Sequence, residues 1–557
     1  MLALFADGKT CYGQTNCSLG KKGYVIGPHD LFGGGSSDSA PWWRQVSDCY
    51  ASPADLIILA GPTFVDTKLF DYKRQAPQDC VTTEINPGPT TWYVATGSGI
   101  GVLALFAHDQ TIWGGGPFFP LVSYALSGAG VTRGDDGAYQ RGTGSKSYCV
   151  AEGECITIAA PNEIACTSTS KNPYPNPLQC YGPLVQFPIS VDPIALSYTN
   201  GGVYEKISGS EKPEVDYKFN VQNATAGGGL RLSVRTVCGI YAGQITNWND
   251  STITSDNNGV LLEDPNDPTP PFNWSVPIQP AGRSDAAGST LAFTAHLAAV
   301  CGKFHVKPAE TLEAAGLSVT PCHNPQTFGI LVAAGSTGVA SCVNFSQSPV
   351  GKGDNCPGAT LLNGYTDCIQ QGRIGYIGAG YVLPYVPKNG MNRYGLFAAA
   401  VENARHEFVA PSPETALVAF DSAGLPPQTN ANGRYCRRCG NLKRKDPADW
   451  NPQAELADPP EQSAYPIVGT TNFLGYTCYA DPKRAANLTG QLSYLEKAGI
   501  NTAHKDILES SGSAPLPKSW RDAIDRTFIT NSDGLGLNIG VAQETSGTCS
   551  APGIIGG

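Results

Sequence analysis

Apolar positions along the chain fall into short runs separated by glycine- and proline-rich punctuation. Leu56–Ala60 and Thr91–Ala95 are apolar or β-branched almost throughout, which predicts buried strands. Phe293–Cys301 and Glu414–Phe420 space their apolar residues as helices do. Alternation of strand, turn and helix predicts an α/β chain with largely parallel sheets and helices on both faces. In such sheets ligands sit beyond the carboxyl ends of strands, next to helix N-termini. The glycine-rich turns at 33–35, 97–101 and 286–288 therefore mark where a site would lie. No apolar run approaches the roughly 18 residues of a membrane span.

Composition narrows the class. The chain has 557 residues, enough for two or three ordinary domains. Only 15% of residues are charged and the net charge is −10, which argues against nucleic acid and anionic membrane surfaces as partners. An anion ligand stays open, because a cleft is governed by local dipoles. The 18 cysteines, even in number and spread along the chain, fit disulfides and an oxidising compartment. Met1-Leu-Ala-Leu-Phe-Ala6 lacks a basic start and is too short for the apolar core of a secretory signal. A start inside a longer precursor is compatible with it.

The richest stretch chemically is Arg283-Ser-Asp-Ala-Ala-Gly-Ser-Thr-Leu-Ala-Phe293. An arginine and a carboxylate precede a Gly-Ser-Thr turn that opens a helix. Free N–H groups of such a turn, with the helix dipole behind them, make an anion site. Arg283 is placed to fork onto an oxyanion, and Asp285 to hold the guanidinium. The same stretch also fits a surface helix N-terminus with a solvated arginine.

Residues 283–294, Arg-Ser-Asp-Ala-Ala-Gly-Ser-Thr-Leu-Ala-Phe-Thr, resemble the Arg-Ser-Asp-Gly-Ser-Gly-Thr-Thr-Phe motif of the PstS/DING family. These are the bacterial phosphate-binding proteins of ABC transporters. Leu232–Asp250, with Gly239-Ile-Tyr-Ala-Gly243 and Trp248-Asn-Asp250, is similar to a second and more specific family segment. Gly33-Gly-Gly-Ser-Ser-Asp-Ser-Ala-Pro41 resembles the first glycine-rich turn. Ile374–Gly378, Phe408–Glu414, Tyr465–Ile467 and Ala514–Pro517 match later segments, in order. The resemblance implies two α/β lobes with a ligand cleft between them. It gives 30–190 and 381–530 to the first lobe and 191–380 to the second, with crossings near Phe187–Leu196 and Tyr376–Leu383. Residues 1–29 and 531–557 lie outside it, and 424–463 read as an inserted loop.

The resemblance also assigns ligand contacts. Ser37 falls on a family threonine, and Asp38 on a residue, usually apolar, that gives its backbone N–H. Ser98, followed by Gly99, falls on a serine opening a helix. Arg283, Gly288 and Ser289 match an arginine, a glycine and a threonine. Two departures stand out. Ala287 replaces a serine donor, and Gly128 falls on the aspartate that accepts the proton of hydrogen phosphate. Loss of that acceptor lowers discrimination against sulfate, on a scale of about 1–3 kcal/mol. Asp38 is a candidate substitute acceptor, or an N-cap turned to its helix.

Rival chemistries fare worse. Gly97-Ser-Gly-Ile-Gly101 has the wrong spacing for a dinucleotide loop, and no P-loop or Gly-x-Ser-x-Gly elbow occurs. Cys436-Arg-Arg-Cys439 has no second Cys-x-x-Cys and reads as a disulfide-stapled loop; Arg437, Arg438, Lys443, Arg444 and Lys445 beside it read as a solvated basic face. The seven histidines show no metal-ligand spacing, and His296 reads as a packed or capping residue. Of the adjacent Trp42 and Trp43, at least one is expected in the core. The chain is thus expected to be an exported, non-enzymatic binder of phosphate or a related oxyanion, without cofactor or metal. Its expected partners are the anion and either ABC transporter membrane subunits or copies of itself. The alternative is an extracellular structural, filament or adhesive subunit that reuses the fold with a degenerate site. Cys11, Cys17 and Cys549 in the end segments motivate that alternative.

Overall fold

Eleven strands form the main sheet of the computed structural model, which describes residues 17–19, 24–51, 58–59, 89–113, 121–141, 147–150, 154–157, 181–198, 201–204, 215–218, 229–259, 278–302, 304–322, 329–343, 361–362, 365–366, 373–383, 396–426, 446–496 and 502–541. The strands are β1 (Leu31–Gly35), β2 (Ile58–Leu59), β3 (Thr91–Ala95), β4 (Tyr124–Ser127), β5 (Leu184–Tyr198), β6 (Gln279–Arg283), β7 (Val319–Pro321), β8 (Ile330–Ala333), β9 (Arg373–Gly378), β10 (Phe397–Ala398) and β11 (Val468–Tyr476). Their order is β7-β8-β6-β9-β5-β11-β4-β1-β3-β2, with β10 also on β5. β4, β1, β3 and β2 run parallel, and so do β7, β8, β6 and β9. The two parallel blocks are the two lobes of an α/β fold.

Between the blocks lie β5 and β11, and their pairings are antiparallel. β5 serves both lobes. Residues 184–193 pair with β11, and residues 194–198 pair with β9. All fifteen of its residues are buried, as expected of a strand covered on both faces. Two prolines sit where this strand changes its behaviour. Pro188 adjoins a register shift opposite Thr471 and Asn472, and Pro193 is the last residue before the partner changes. Proline lacks the N–H that a ladder needs, so it belongs at such irregularities.

Four helices bring their N-termini to the site: α1 (Ala40–Tyr50), α2 (Ser98–Ala107), α3 (Gly288–Val300) and α4 (Gly335–Val343). They follow β1, β3, β6 and β8 respectively. The expected strand at 91–95 and the helices around 293–301 and 414–420 are present, the last two as Gly288–Val300 and Pro413–Phe420. Of the expected strand at 56–60, Ile58–Leu59 lies within the described residues. Gly33–Gly35 forms the buried end of β1 rather than a turn, because the parallel neighbours β3 and β4 pair with it on both sides.

Trp42 and Trp43 are both fully buried, and Trp43 Nε1 donates to the Tyr124 hydroxyl at 2.7 Å. Tyr124 stacks on Phe473, and Phe473 on Phe187, so α1 is tied to β4, β11 and β5. In the second lobe Phe293 of α3 stacks on Tyr376 of β9 at 4.5 Å. Residues 446–463, within the segment read as an inserted loop, pack on the body. Trp450 is fully buried, with its ring 4.7 Å from Phe528. Cys436, Cys439 and the basic cluster lie outside the described residues. Disulfides join Cys238 to Cys301 and Cys322 to Cys342. No described helix is long and apolar enough to cross a membrane.

Candidate anion site

Arg283 ends β6, and its side chain is 1% exposed. Burying a guanidinium is costly unless its charge and donors are matched. Asp285 supplies most of the match. Nε donates to Asp285 Oδ1 at 2.8 Å, and Nη2 pairs with Oδ2. Asp285 is fixed in turn by the Gly335 N–H, which donates to Oδ1 at 2.8 Å. The remaining nitrogen, Nη1, points to three groups. It donates to Ser336 Oγ at 2.9 Å and Ser289 Oγ at 3.5 Å, and lies 3.5 Å from Asp38 Oδ2. Burial alone pulls this guanidinium's pKa down. The charges of Asp285 and Asp38, with the Asp285 hydrogen bonds, overcome that and hold it above the ordinary value. The expectation of an arginine braced by Asp285 thus matches the geometry, and the solvated-arginine reading does not.

The first lobe's loops reach the same place. Gly97 precedes α2 at φ 95°, a conformation strained for other residues, and a β-carbon there would lie 2.6 Å from Asp285 Oδ2. Ser98 opens α2, and its Oγ accepts from the Gly128 N–H at 3.0 Å and the Gly288 N–H at 3.3 Å. The Gly99 N–H donates to the Ala286 carbonyl at 3.3 Å. Gly128 packs directly on Gly288. A β-carbon on Gly288 would come within 2.1–2.6 Å of the Gly128 backbone. One on Gly128 would lie 3.0 Å from Gly288 Cα and 3.6 Å from Ser98 Oγ, so position 128 borders this cluster.

Ser37 and Asp38 lie in the turn between β1 and α1. Ser37 Oγ accepts from the Ser336 N–H at 3.4 Å. Asp38 is not the N-cap of α1. Ser39 holds that position, without a side-chain capping bond. The Asp38 carboxylate turns across to the second lobe instead, where Ser336 Oγ donates to Oδ1 and Arg283 Nη1 faces Oδ2. Gly378 makes room for it, since a β-carbon there would lie 2.9 Å from Asp38 Oδ1.

All seven expected contact residues, and Asp285, therefore meet in one cluster around Arg283. Sequence reasoning missed Ser336. A signal existed: Gly335-Ser-Thr-Gly338 follows β8 just as Gly288-Ser-Thr290 follows β6 and Gly97-Ser-Gly99 follows β3. Tyr376 was also missed. Its hydroxyl accepts from the Arg283 N–H at 3.1 Å and bonds Thr290 Oγ1 at 2.9 Å. Burial raises this phenol's pKa, although those two bonds oppose it. His296 packs inside, as expected, with its Nδ1–H donating to the Ala457 carbonyl at 3.0 Å.

Asp192, on β5 close to where its pairing changes, adds a further carboxyl. Ser190 Oγ donates to its Oδ1 at 2.9 Å and Thr471 Oγ1 to its Oδ2 at 2.6 Å. Burial raises its pKa; the hydroxyl bonds, including one from Ser513, lower it, and the Asp38 charge adds to the rise.

Comparison with known proteins bears on what this cluster belongs to. Residues 166–390 match the model of a PBP superfamily domain. "Alkaline phosphatase L" of Pseudomonas aeruginosa (strain UCBPP-PA14) is 24% identical over 365 residues, covering 64% of this chain and 70% of the relative. A "Phosphate-binding protein" from an unknown prokaryotic organism is 25% identical over 323 residues, 55% of this chain and 68% of the relative. Among solved structures, an ancestral soluble variant of the Human Phosphate Binding Protein superposes with TM-score 0.54 at 19% identity, covering 92% of this chain and 96% of the other. The periplasmic phosphate-binding protein PfluDING, solved with phosphate, gives TM-score 0.53 at 18% identity, with the same coverage of 92% and 96%. Residues 166–390 thus match a PBP superfamily domain, and the chain as a whole shares the two-lobed fold of these solved phosphate-binding proteins.

Proposed function

We propose that this chain is an exported, non-enzymatic binding protein that takes inorganic phosphate or a related oxyanion between its two lobes. The observation that carries the reading is the convergence on Arg283. A buried guanidinium braced by Asp285 faces Ser289 and Ser336, and the N-termini of α2, α3 and α4 open beside it. Hydroxyls, backbone N–H groups and a forked cation are the donors that a dehydrated oxyanion requires. Phosphate binding in the named relatives supports the same chemistry. The lobes divide most simply at residues 193 and 194 of β5, with 397–409 going to the second lobe, since they pair with Ser197–Tyr198 and Arg231–Leu232. Hinge motion there would open and close the site. The disulfides support export.

Isothermal titration of the full chain with inorganic phosphate tests this. Saturable binding is expected, and Arg283→Ala should weaken it roughly 10- to 100-fold, the worth of hydrogen bonds to a charged group. Arg283→Lys, which keeps the charge and loses the fork, should fall between. The same preparation should leave p-nitrophenyl phosphate uncleaved, which separates this reading from the activity implied by the name alkaline phosphatase L. No saturable binding, or an Arg283→Ala chain that binds equally well, would refute it.

One observation favours the second reading, a structural or adhesive subunit with a degenerate site. Several donors in the cluster are already satisfied within the chain, by Asp38 and by Ser98. Non-reducing gels and electron microscopy of assemblies would favour it over a receptor.

A further inference from the structure

We propose that Asp38 is a built-in competitor for the anion site: its carboxylate, carried by the first lobe, docks onto the second lobe's donors, so the lobes close on an internal anion that an external one must displace. The inference rests on reading the cluster as an oxyanion site. Asp38 follows β1, whereas Arg283, Ser336 and Gly378 lie on β6, α4 and β9 of the other parallel block. One carboxylate oxygen accepts from Ser336 Oγ, and the other lies 3.5 Å from Arg283 Nη1. A β-carbon at Gly378 would sit 2.9 Å from Asp38 Oδ1, so the seat needs a glycine there. Hydroxyl, guanidinium and a bare α-carbon are what an anion oxygen would be offered. The neighbouring donors are engaged as well. Ser98 Oγ takes the Gly288 N–H at 3.3 Å, and Gly128 lies against Gly288.

An oxyanion entering this donor set meets like charge. Asp38 and Asp285 both stand on Arg283, so the guanidinium is already neutralised. Two outcomes are then open to an incoming anion. It can expel Asp38 from its seat, which weakens the binding of every anion. Or it can offer Asp38 a proton, which only a protonated anion such as hydrogen phosphate can do. The geometry favours expulsion, because both oxygens of Asp38 already face donors, Ser336 Oγ on one side and Arg283 Nη1 on the other.

Titration calorimetry at pH 8 with inorganic phosphate and with sulfate, on wild type, Asp38→Asn and Asp38→Ala, decides between them. The competitor predicts that both variants bind both anions more tightly, by roughly tenfold or more. Small-angle scattering in buffer free of oxyanions should show both variants more open than wild type, and closed again by phosphate. Equal affinities for all three chains would overturn the competitor and leave the oxyanion reading standing. So would variants that bind phosphate more weakly but sulfate more tightly, the pattern of a proton acceptor. No saturable binding of either anion by any of the three would remove the oxyanion reading itself.

Discussion

A guanidinium taken out of water costs several kcal/mol unless its charge is matched, and Arg283 is matched by Asp285 and by Asp38. The first match was legible in the sequence, because Arg283 and Asp285 are neighbours in one motif. The second was not. Asp38 and Ser336 are 298 positions apart, and only the folded chain brings the turn after β1 to the start of α4. A short polar residue before a helix reads as a cap, and here tertiary pairing overrides that local preference. Gly128 teaches the same lesson. In the sequence it is a missing aspartate, and in the fold it is the surface on which Gly288 rests. The two glycines are not equivalent. Gly288→Ala places a methyl within 2.1–2.6 Å of the Gly128 backbone, whereas the nearest atom to a methyl on Gly128 is Gly288 Cα at 3.0 Å. Overpacking of this kind costs about 1–3 kcal/mol. Calorimetric melting should therefore show Gly288→Ala well below wild type and Gly128→Ala nearer to it. The reverse order would mean that the lobes do not meet there.

At the scale of elements, apolar spacing made one site helix readable, α3 around 293–301, and the family resemblance added the helix that Ser98 opens. β5 was not readable as one fifteen-residue strand, since Pro188 and Pro193 break its pattern. Those prolines turned out to mark the register shift and the change of partner. α3 has a second task besides offering its N-terminus. Through His296 it holds the carbonyl of Ala457, and so fastens the segment 446–457 to the second lobe. With Nδ1 donating to that carbonyl, His296 Nε2 is buried without a hydrogen-bond partner among the described residues. Burial lowers the imidazole's pKa to about 4, though the bond to Ala457 opposes this. The unfolded chain then takes up a proton near its ordinary value of about 6.5, which the folded chain refuses. Stability supplied by the neutral ring is complete above that value. It is lost as pH falls from about 6.5 towards about 4, by at most ~1.4 kcal/mol per pH unit. Melting temperatures from pH 7 to pH 4 should fall more steeply for wild type than for His296→Gln. Parallel curves would show that this histidine does not contribute.

For the molecule as a whole, one sheet is shared by two parallel blocks, and the strand that joins them runs beside the site. On the proposed function, closure would depend on which anion sits between the turn after β1 and the helices of the second lobe. The family resemblance supplied the lobes and the arginine. It did not supply a carboxylate facing Arg283, because the resemblance sets Asp38 on a usually apolar position. The most direct measurement is anomalous diffraction from crystals of the Asp38→Asn chain grown in arsenate, an analogue of phosphate with a strong signal. The account predicts one arsenic peak within hydrogen-bond reach of Arg283, Ser98 and Ser289 together. An Arg283 side chain facing bulk water, or arsenic bound only elsewhere on the surface, would contradict it.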